Sequence, residues 1–289
     1  MTSDADPQST PTEPTPEPTA PPVPSPIALP SALADDARMR DLIYHSLISG
    51  LCVVIPIPFL DDWAIERVRR RAISRQFGEY GVELDAALRP ILLHGLEGPP
   101  GCWRGCLVMP LTVIVKLVLW PIRSVVGMVL FVFTLRRMVN QSTQQFEEAA
   151  ALACILADTT ILTDFGAAPR ETADLVYRSV RRACEATDTR VLRGIFAKSL
   201  GGGRQALRAA SAAIRGRVRR LWRSRRSTDT EAPDVGATLA EDVPGFSGLI
   251  QGLAEALRVH PEYLADLHAA SIAALAAERA APPTAASAA

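Results

Sequence analysis

The sequence predicts an all-α helical bundle with a central apolar helical hairpin, either embedded in a membrane or deeply buried. Hydrophobic residues form 48% of the chain but aromatic residues only 6%, so Ala, Leu, Val and Ile supply the apolar mass. This composition favours helices over sheets. In addition, residues 107–135 contain only two charged side chains, and the flanking segments place apolar residues at helical spacing.

Residues 1–33 are predicted to form a disordered tail. Pro, Thr, Ser and Glu dominate this stretch, which cannot bury enough apolar surface to offset the entropy of ordering. The first residues are acidic and proline-rich, whereas a secretory signal begins with basic and then apolar residues. The five cysteines are odd in number and scattered, which favours reduced thiols. We therefore expect the N-terminus to stay in the cytoplasm.

The first apolar run extends from Leu42 to Leu60 and carries no formal charge. Because a helical crossing needs about 20 apolar residues, and Pro56 and Pro58 interrupt the end of the run, a full crossing is marginal. A buried or half-inserted helix fits equally well. The next helix is predicted to be capped by Asp61 or Asp62, and its apolar face contains Ile65, Val68, Ala72 and Phe77.

The strongest signal is the apolar segment 107–135. As one straight helix it would be about 44 Å long at 1.5 Å per residue, which exceeds the roughly 30 Å of a bilayer's hydrocarbon core. One alternative is a hairpin that bends near Trp120 and Pro121, and arginines on both flanks agree with two cytoplasmic ends. The other is a helix pair that packs against the rest of the protein along a polar stripe.

The net charge of the chain is zero, but its basic residues are concentrated in one block. Residues 170–226 hold 16 basic and 4 acidic side chains, a net charge of +12. Within this block, residues 201–226 predict a basic amphipathic helix that binds anionic head groups. Nucleic acid is disfavoured as a partner because the block follows a long apolar segment. The predicted membrane-binding residues are Trp120, Arg136, Arg137, Arg215, Arg219, Leu221, Trp222 and Arg223.

Composition divides the chain into six parts. The largest, residues 34–200, is predicted to be a helical membrane-associated domain with helices at 144–163 and 170–186. Helices at 246–258 and 261–278 are expected to form a C-terminal pair. The full division is a tail (1–33), the helical domain (34–200), the basic helix (201–226), an acidic linker (227–243), the C-terminal pair (244–280) and a frayed tail (281–289).

A structural motif begins with Pro56, Pro58 and Asp61, which predict a tight corner between two helices, and ends at Tyr80 and Gly81. The same pattern continues with Lys116, Pro121 and Gly127 in the apolar segment and with Phe146 followed by Glu147. The whole pattern covers about 100 residues. This pattern resembles the helical family of unknown function that includes the YcjF-type bacterial membrane proteins. The resemblance implies an α-helical membrane-associated module, often found beside GTPase domains and without established catalytic residues.

The chain lacks the motifs of common catalytic sites. It contains no G-x-x-x-x-G-K-[ST], G-x-S-x-G or H-E-x-x-H sequence, and its four histidines form no legible site. His94, Cys102 and Cys106 offer only three metal ligands at an unusual spacing, so we expect thiols in a loop and no metal. No cofactor or small-molecule substrate is evident. An enzyme of unrecognised type is the least favoured reading.

These observations predict a non-catalytic membrane-associated scaffold or adaptor in a bacterium. It is expected at the inner (cytoplasmic) membrane, with most of its mass on the cytoplasmic side. Anionic lipid is the expected partner, and a GTPase is a second candidate because of the family resemblance. The alternative is a soluble all-helical interaction module that acts with a GTPase and uses the long apolar segment as its core.

Overall fold

The computed structural model describes residues 31–53, 60–96, 127–224, 243 and 245–281. Within these ranges every regular element is an α-helix, which confirms the all-α prediction. The predicted tail before residue 31, the hairpin tip at Trp120, almost all of the acidic linker and residues 282–289 lie outside the described ranges.

The described ranges contain eleven helices, numbered here in chain order. They are α1 (Ser31–Ala34), α2 (Asp36–Cys52), α3 (Leu60–Glu79), α4 (Arg89–His94), α5 (Gly127–Leu156), α6 (Thr159–Ala167), α7 (Pro169–Ala186), α8 (Arg190–Gly202), α9 (Arg204–Ser224), α10 (Phe246–Arg258) and α11 (Pro261–Ala280).

The uncharged run that begins at Leu42 forms most of α2, a buried core helix. Asp35 caps its N-terminus, because the side chain accepts a hydrogen bond from the Ala37 amide at 3.0 Å. From Leu42 to Cys52 every residue except Tyr44 is buried. Helices α3, α5, α9 and α10 all pack against α2. Of the alternatives for this run, the buried helix is therefore the one observed as far as Cys52.

Helices α2 and α5 approach each other closely at Gly50. A methyl group built on Gly50 would lie 2.0 Å from Ser142 Oγ and 2.9 Å from the Met138 carbonyl oxygen. Both distances are far below van der Waals contact, so only glycine allows this approach. Near this crossing the Gln141 side chain donates to Ser49 Oγ at 3.3 Å. Small residues thus allow α2 and α5 to pack nearly backbone to backbone.

Helix α5 is the centre of the bundle. It contacts α1, α2, α3, α6, α7, α8 and α11, and residues 149–156 are buried on every side. The predicted helix 144–163 spans the end of α5 and the start of α6, between which the axis bends by 84°. Asp158 produces the break, because its side chain accepts from the Thr160 amide at 2.9 Å and starts α6.

Helix α3 begins at Leu60, so Asp61 and Asp62 lie in its first turn rather than at the predicted capping position. An acidic first turn still complements the positive end of the helix dipole. The predicted apolar face is otherwise correct, since Val68, Ala72 and Phe77 are buried. Ile65 is partly buried and packs against the core.

The C-terminal helices α10 and α11 match the predicted helices at 246–258 and 261–278 closely. They share one apolar core with α2 and α5. Arg279 anchors the end of α11, with nitrogen atoms 3.3 Å from Asp158 and 3.0 Å from Asp164. Glu278 binds Arg178 and Arg182 of α7, each at 2.9 Å. The last helix is therefore an integral part of the bundle.

The first half of the basic helix packs into the protein. Leu207, Ala210 and Ile214 of α9 are buried in the same core as α2 and α10. The apolar face of α9 is therefore covered by protein as far as Ile214. Leu221 and Trp222 continue this face in the sequence, but their side chains lie outside the described part.

Within the described ranges no single helix is both long enough and apolar enough to cross a bilayer. Helices α5 and α6 pass this test only as a bent pair, from Phe133 to Ala167. The predicted hairpin in 107–135 falls mainly on residues outside the described ranges, so its placement remains a prediction.

We predict that Gly50→Ala destabilises the fold, because the added methyl group has no space between α2 and α5. Overpacking of this kind costs about 1–3 kcal/mol. The matched control is Gly194→Ala in α8, where an added methyl group meets no atom within 4 Å. This control should raise the free energy of unfolding by up to about 1 kcal/mol. Denaturant unfolding measures both, and equal stabilities of the two variants would contradict the close approach.

Candidate membrane-binding groove and polar cleft

A groove of about 190 Å³ lies between the N-terminal half of α5 and the first half of α9, and we call it the basic groove. Its apolar surface comes from Leu135, Met138 and Leu207, of which the last two are buried. The remaining lining residues are polar or charged. They are Thr134, Arg204, Arg208, Ser211 and Arg215.

The charged residues that line the described part of the basic groove are all arginines. Arg204, Arg208 and Arg215 lie four and seven residues apart on α9, so they share one side of that helix. Among the described residues, no acidic side chain lines the groove. Arg215 is held in place by a hydrogen bond of 3.2 Å from its Nε to the Ser211 carbonyl oxygen. An apolar floor under a cationic rim suits an amphiphile with an anionic head group.

The adjoining part of α5 is exposed. The side chain of Phe133 is 63% exposed, and Arg136 and Arg137 are exposed as well. Phe133 belongs to the apolar segment 107–135, whose earlier residues lie outside the described side chains. The described end of the apolar segment, Phe133 to Leu135, therefore lies at the basic groove and precedes two exposed arginines.

Of the predicted membrane-binding residues whose side chains are described, only Arg215 lines the basic groove. Arg136 and Arg137 are exposed on α5, outside its lining. Trp120 is outside the described ranges. The remaining four lie on the helical backbone of α9, and their side chains are outside the described part: Arg219, Leu221, Trp222 and Arg223.

The predicted structural motif is described at one end only. Tyr80 and Gly81 form the turn after α3, where Gly81 adopts a left-handed φ of 72°. Arg38 of α2 donates to Tyr80 Oη at 3.1 Å and to Glu79 at 2.9 Å, which ties the end of α3 to the start of α2. Pro56 and Pro58 lie outside the described ranges, and only the backbone of Asp61 is described.

A second concave site has about 290 Å³ of space and is enclosed by α3, α4, α5 and α7; we call it the polar cleft. Its apolar wall is broad, while its polar residues come mainly from α3 and α5. The sequence analysis singled out none of the glutamines in this wall. The lining residues are Arg69, Ala72, Ile73, Gln76, Leu92, Leu93, His94, Gln144, Gln145, Glu148, Ala149, Leu152, Val176, Tyr177, Val180 and Arg181.

The charged groups of the polar cleft have partners within the protein. Arg69 forms an ion pair with Glu148, which also accepts a hydrogen bond of 2.8 Å from Gln144. His94 Nε2 lies 3.7 Å from Glu66, whose pKa is lowered by Arg70 and His94 although burial opposes the shift. Arg181 pairs with Glu185 of its own helix at 3.5 Å. The cleft therefore carries little uncompensated charge.

Two glutamines in the wall of the polar cleft have unmet hydrogen-bonding capacity. Gln76 is 5% exposed and donates to the Ala149 carbonyl oxygen at 3.2 Å, but its Oε1 accepts no hydrogen bond. Gln145 is 4% exposed, and its Oε1 also has no donor. A buried polar atom without a partner costs about 1–3 kcal/mol. The only sequence signal was the polar run from Asn140 to Gln145 in an apolar helix.

Glu147 is a buried acid that contacts α11. It is 4% exposed, and Tyr263 donates to its Oε1 at 3.0 Å. Burial raises the pKa of Glu147 to about 7, and the charge of Glu148 adds to this shift. The hydrogen bond from Tyr263 and the charge of Arg193 lower the pKa and limit the shift. The bundle therefore contains an acid that titrates near neutral pH.

The described residues contain no group of three or more His, Cys, Asp or Glu side chains arranged to hold a metal ion. Cys102 and Cys106 lie outside these ranges, so the expected absence of a metal there is untested. Burial raises the pKa of Cys154 and of Cys184 to about 12. Both thiols are therefore protonated at neutral pH and are poor nucleophiles.

Comparison of the chain with known protein families, curated proteins and solved structures found no match. The resemblance to the YcjF-type membrane proteins thus remains a prediction from the residues that carry it. The basic groove, the polar cleft and the buried acid are therefore the features of the described structure that bear on function.

We predict that Glu147 makes the fold less stable as pH rises from about 4.5 to about 7. In this window the folded chain keeps a proton that the unfolded chain has lost, so the free energy of unfolding falls with increasing pH. Glu147→Gln removes this dependence and should gain up to about 3 kcal/mol relative to wild type between pH 5 and pH 8. Denaturant unfolding across this range provides the measurement.

Tyr263→Phe gives a second test of the same acid. It removes the hydrogen bond that lowers the pKa of Glu147, so the loss of stability should extend to higher pH. Stability curves of wild type and Glu147→Gln that run parallel from pH 5 to pH 8 would contradict the assignment.

Proposed function

We propose that this protein is a non-catalytic, membrane-associated scaffold or adaptor at the inner (cytoplasmic) membrane of a bacterium. The observation that carries the proposal is the basic groove, which lies beside the point where the apolar segment 107–135 joins the bundle. Its first partner would be a bilayer that contains anionic lipid.

Two physical contributions support membrane binding. Each arginine close to an anionic bilayer contributes about 1 kcal/mol, and three arginines line the basic groove: Arg204, Arg208 and Arg215. Arg136 and Arg137 are exposed on α5 but do not line the groove. The second contribution is burial of apolar side chains in hydrocarbon, at roughly 25 cal/mol per Å². Phe133 and the preceding residues of the segment supply these side chains.

The burial of Leu207, Ala210 and Ile214 changes the role proposed for the basic helix. The sequence predicts that the helix 201–226 as a whole binds anionic head groups, with Leu221 and Trp222 among the membrane-binding residues. With its apolar face packed into the bundle, the first half of α9 can offer lipid only its arginines. We therefore assign head-group contact to this half of α9 and insertion to residues 107–135.

A partner GTPase remains part of the proposal through the family resemblance alone. The soluble alternative also has an observation in its favour, because the bundle buries the uncharged part of α2, from Leu42 to Cys52, except for Tyr44. Residues 107–126 could be covered by protein in the same way. The experiments below separate the two readings.

The location of the protein is tested by fractionating cells that express the full chain. Membrane embedding predicts that the chain sediments with membranes and stays there in 1 M salt, since salt screens charges but does not extract apolar segments. Detergent should release it. Recovery of the chain in the supernatant after salt alone would rule out an embedded segment and favour the soluble module.

The role of the basic groove is tested with the variant Arg204→Gln/Arg208→Gln/Arg215→Gln. Its binding to vesicles with anionic phospholipid should fall by about 100-fold at low salt, from three contributions of about 1 kcal/mol each. Binding to purely zwitterionic vesicles should not change. The matched control neutralises three exposed arginines away from the groove: Arg40, Arg170 and Arg190. Equal losses in both variants would show that only total charge matters.

A further inference from the structure

We propose that the polar cleft is a binding site for an uncharged, largely apolar small molecule that carries an N–H or O–H donor. This inference is independent of the membrane proposal, because no lining residue of the polar cleft belongs to the basic groove. The size of the cleft, the pairing of its charges and the unmet acceptors in its wall each restrict the ligand.

The size and surface of the polar cleft suit a small organic molecule. Its volume of about 290 Å³ is close to the lower limit of known ligand sites. Aliphatic side chains from all four surrounding helices form most of the wall. These are Ala72, Ile73, Leu92, Leu93, Ala149, Leu152, Val176 and Val180. A ligand therefore gains most of its affinity from apolar contact.

The charges around the cleft disfavour an ionic ligand. A carboxylate would compete with Glu148 for Arg69, and a cation would compete with Arg69 for Glu148. Either ligand would leave one member of an existing pair without its partner, which costs more than a neutral contact provides. The cleft thus favours a neutral molecule.

The polar atoms in the wall of the polar cleft that lack a hydrogen-bond partner include two side-chain acceptors. Gln76 Oε1 and Gln145 Oε1 have no donor, although both side chains are more than nine-tenths buried. The last torsion of a glutamine side chain is soft, so a small rotation can adjust the amide to a ligand. An N–H or O–H donor on the ligand would give one of these glutamine oxygens a hydrogen bond. A ligand without a donor would leave both oxygens unpaired and would therefore bind less tightly. Discrimination between two such ligands is therefore the signature of this site.

Indole and indene provide matched probes, because they share size and shape while only indole carries an N–H donor. Isothermal titration of the full chain in detergent, with a detergent blank, should show saturable binding of indole at least tenfold tighter than that of indene. If Gln145 accepts the indole N–H, the preference for indole over indene should disappear in Gln145→Leu, because indole affinity falls. If Gln76 is the acceptor, the same loss should occur in Gln76→Leu. Indene binding should persist, which also reports an intact cleft.

Two further variants serve as controls. Gln251→Leu changes an exposed glutamine of α10 outside the cleft and should leave both affinities unchanged. Ile73→Trp fills the cleft and should abolish binding of both probes. The proposal is overturned if wild type shows no saturable indole binding or binds indole and indene equally. It is also overturned if the preference for indole survives in both glutamine variants.

Discussion

The close contact of α2 and α5 at Gly50 is the constraint on which the rest of the bundle depends. At this crossing there is no space for a side chain at position 50, and most of the other helices contact α2 or α5. The same contact explains why a run of uncharged residues in α2 needs no lipid: α3, α5, α9 and α10 cover it on different sides. Small residues permit this approach in soluble and membrane bundles alike.

Because helices pack against α5 from several directions, its successive residues contact different parts of the protein. Gln145 and Glu148 face the polar cleft, while Glu147 reaches Tyr263 on α11. Near its N-terminal end the same helix supplies Leu135 and Met138 to the basic groove. The candidate site for lipid, the candidate site for a small molecule and the buried acid therefore share one structural element.

In the basic helix α9, packing buries the apolar face of the first half and leaves the arginines of that half at the surface. The apolar face of α9 is buried in the core as far as Ile214, and the side chains of residues 217–224 lie outside the described part. Its arginines remain at the surface along the first half, where they border a groove rather than a flat membrane face. Positive charge and apolar surface thus meet at the junction of α9 with α5, close to the predicted membrane segment.

The sequence by itself determined the helical class, the apolar face of α3 and the two C-terminal helices, because helical periodicity and a helix-starting proline such as Pro261 are local signals. Only the tertiary structure decided that α2 is a core helix, since protein interior and hydrocarbon select the same side chains. The break at Asp158, the partners of Arg279 and the polar cleft also depend on tertiary contacts. Gln76 and Gln145 lie 69 residues apart in the chain, and nothing in their local spacing predicts that they line one cleft. Periodicity shows which face of a helix is covered, whereas packing decides what covers it.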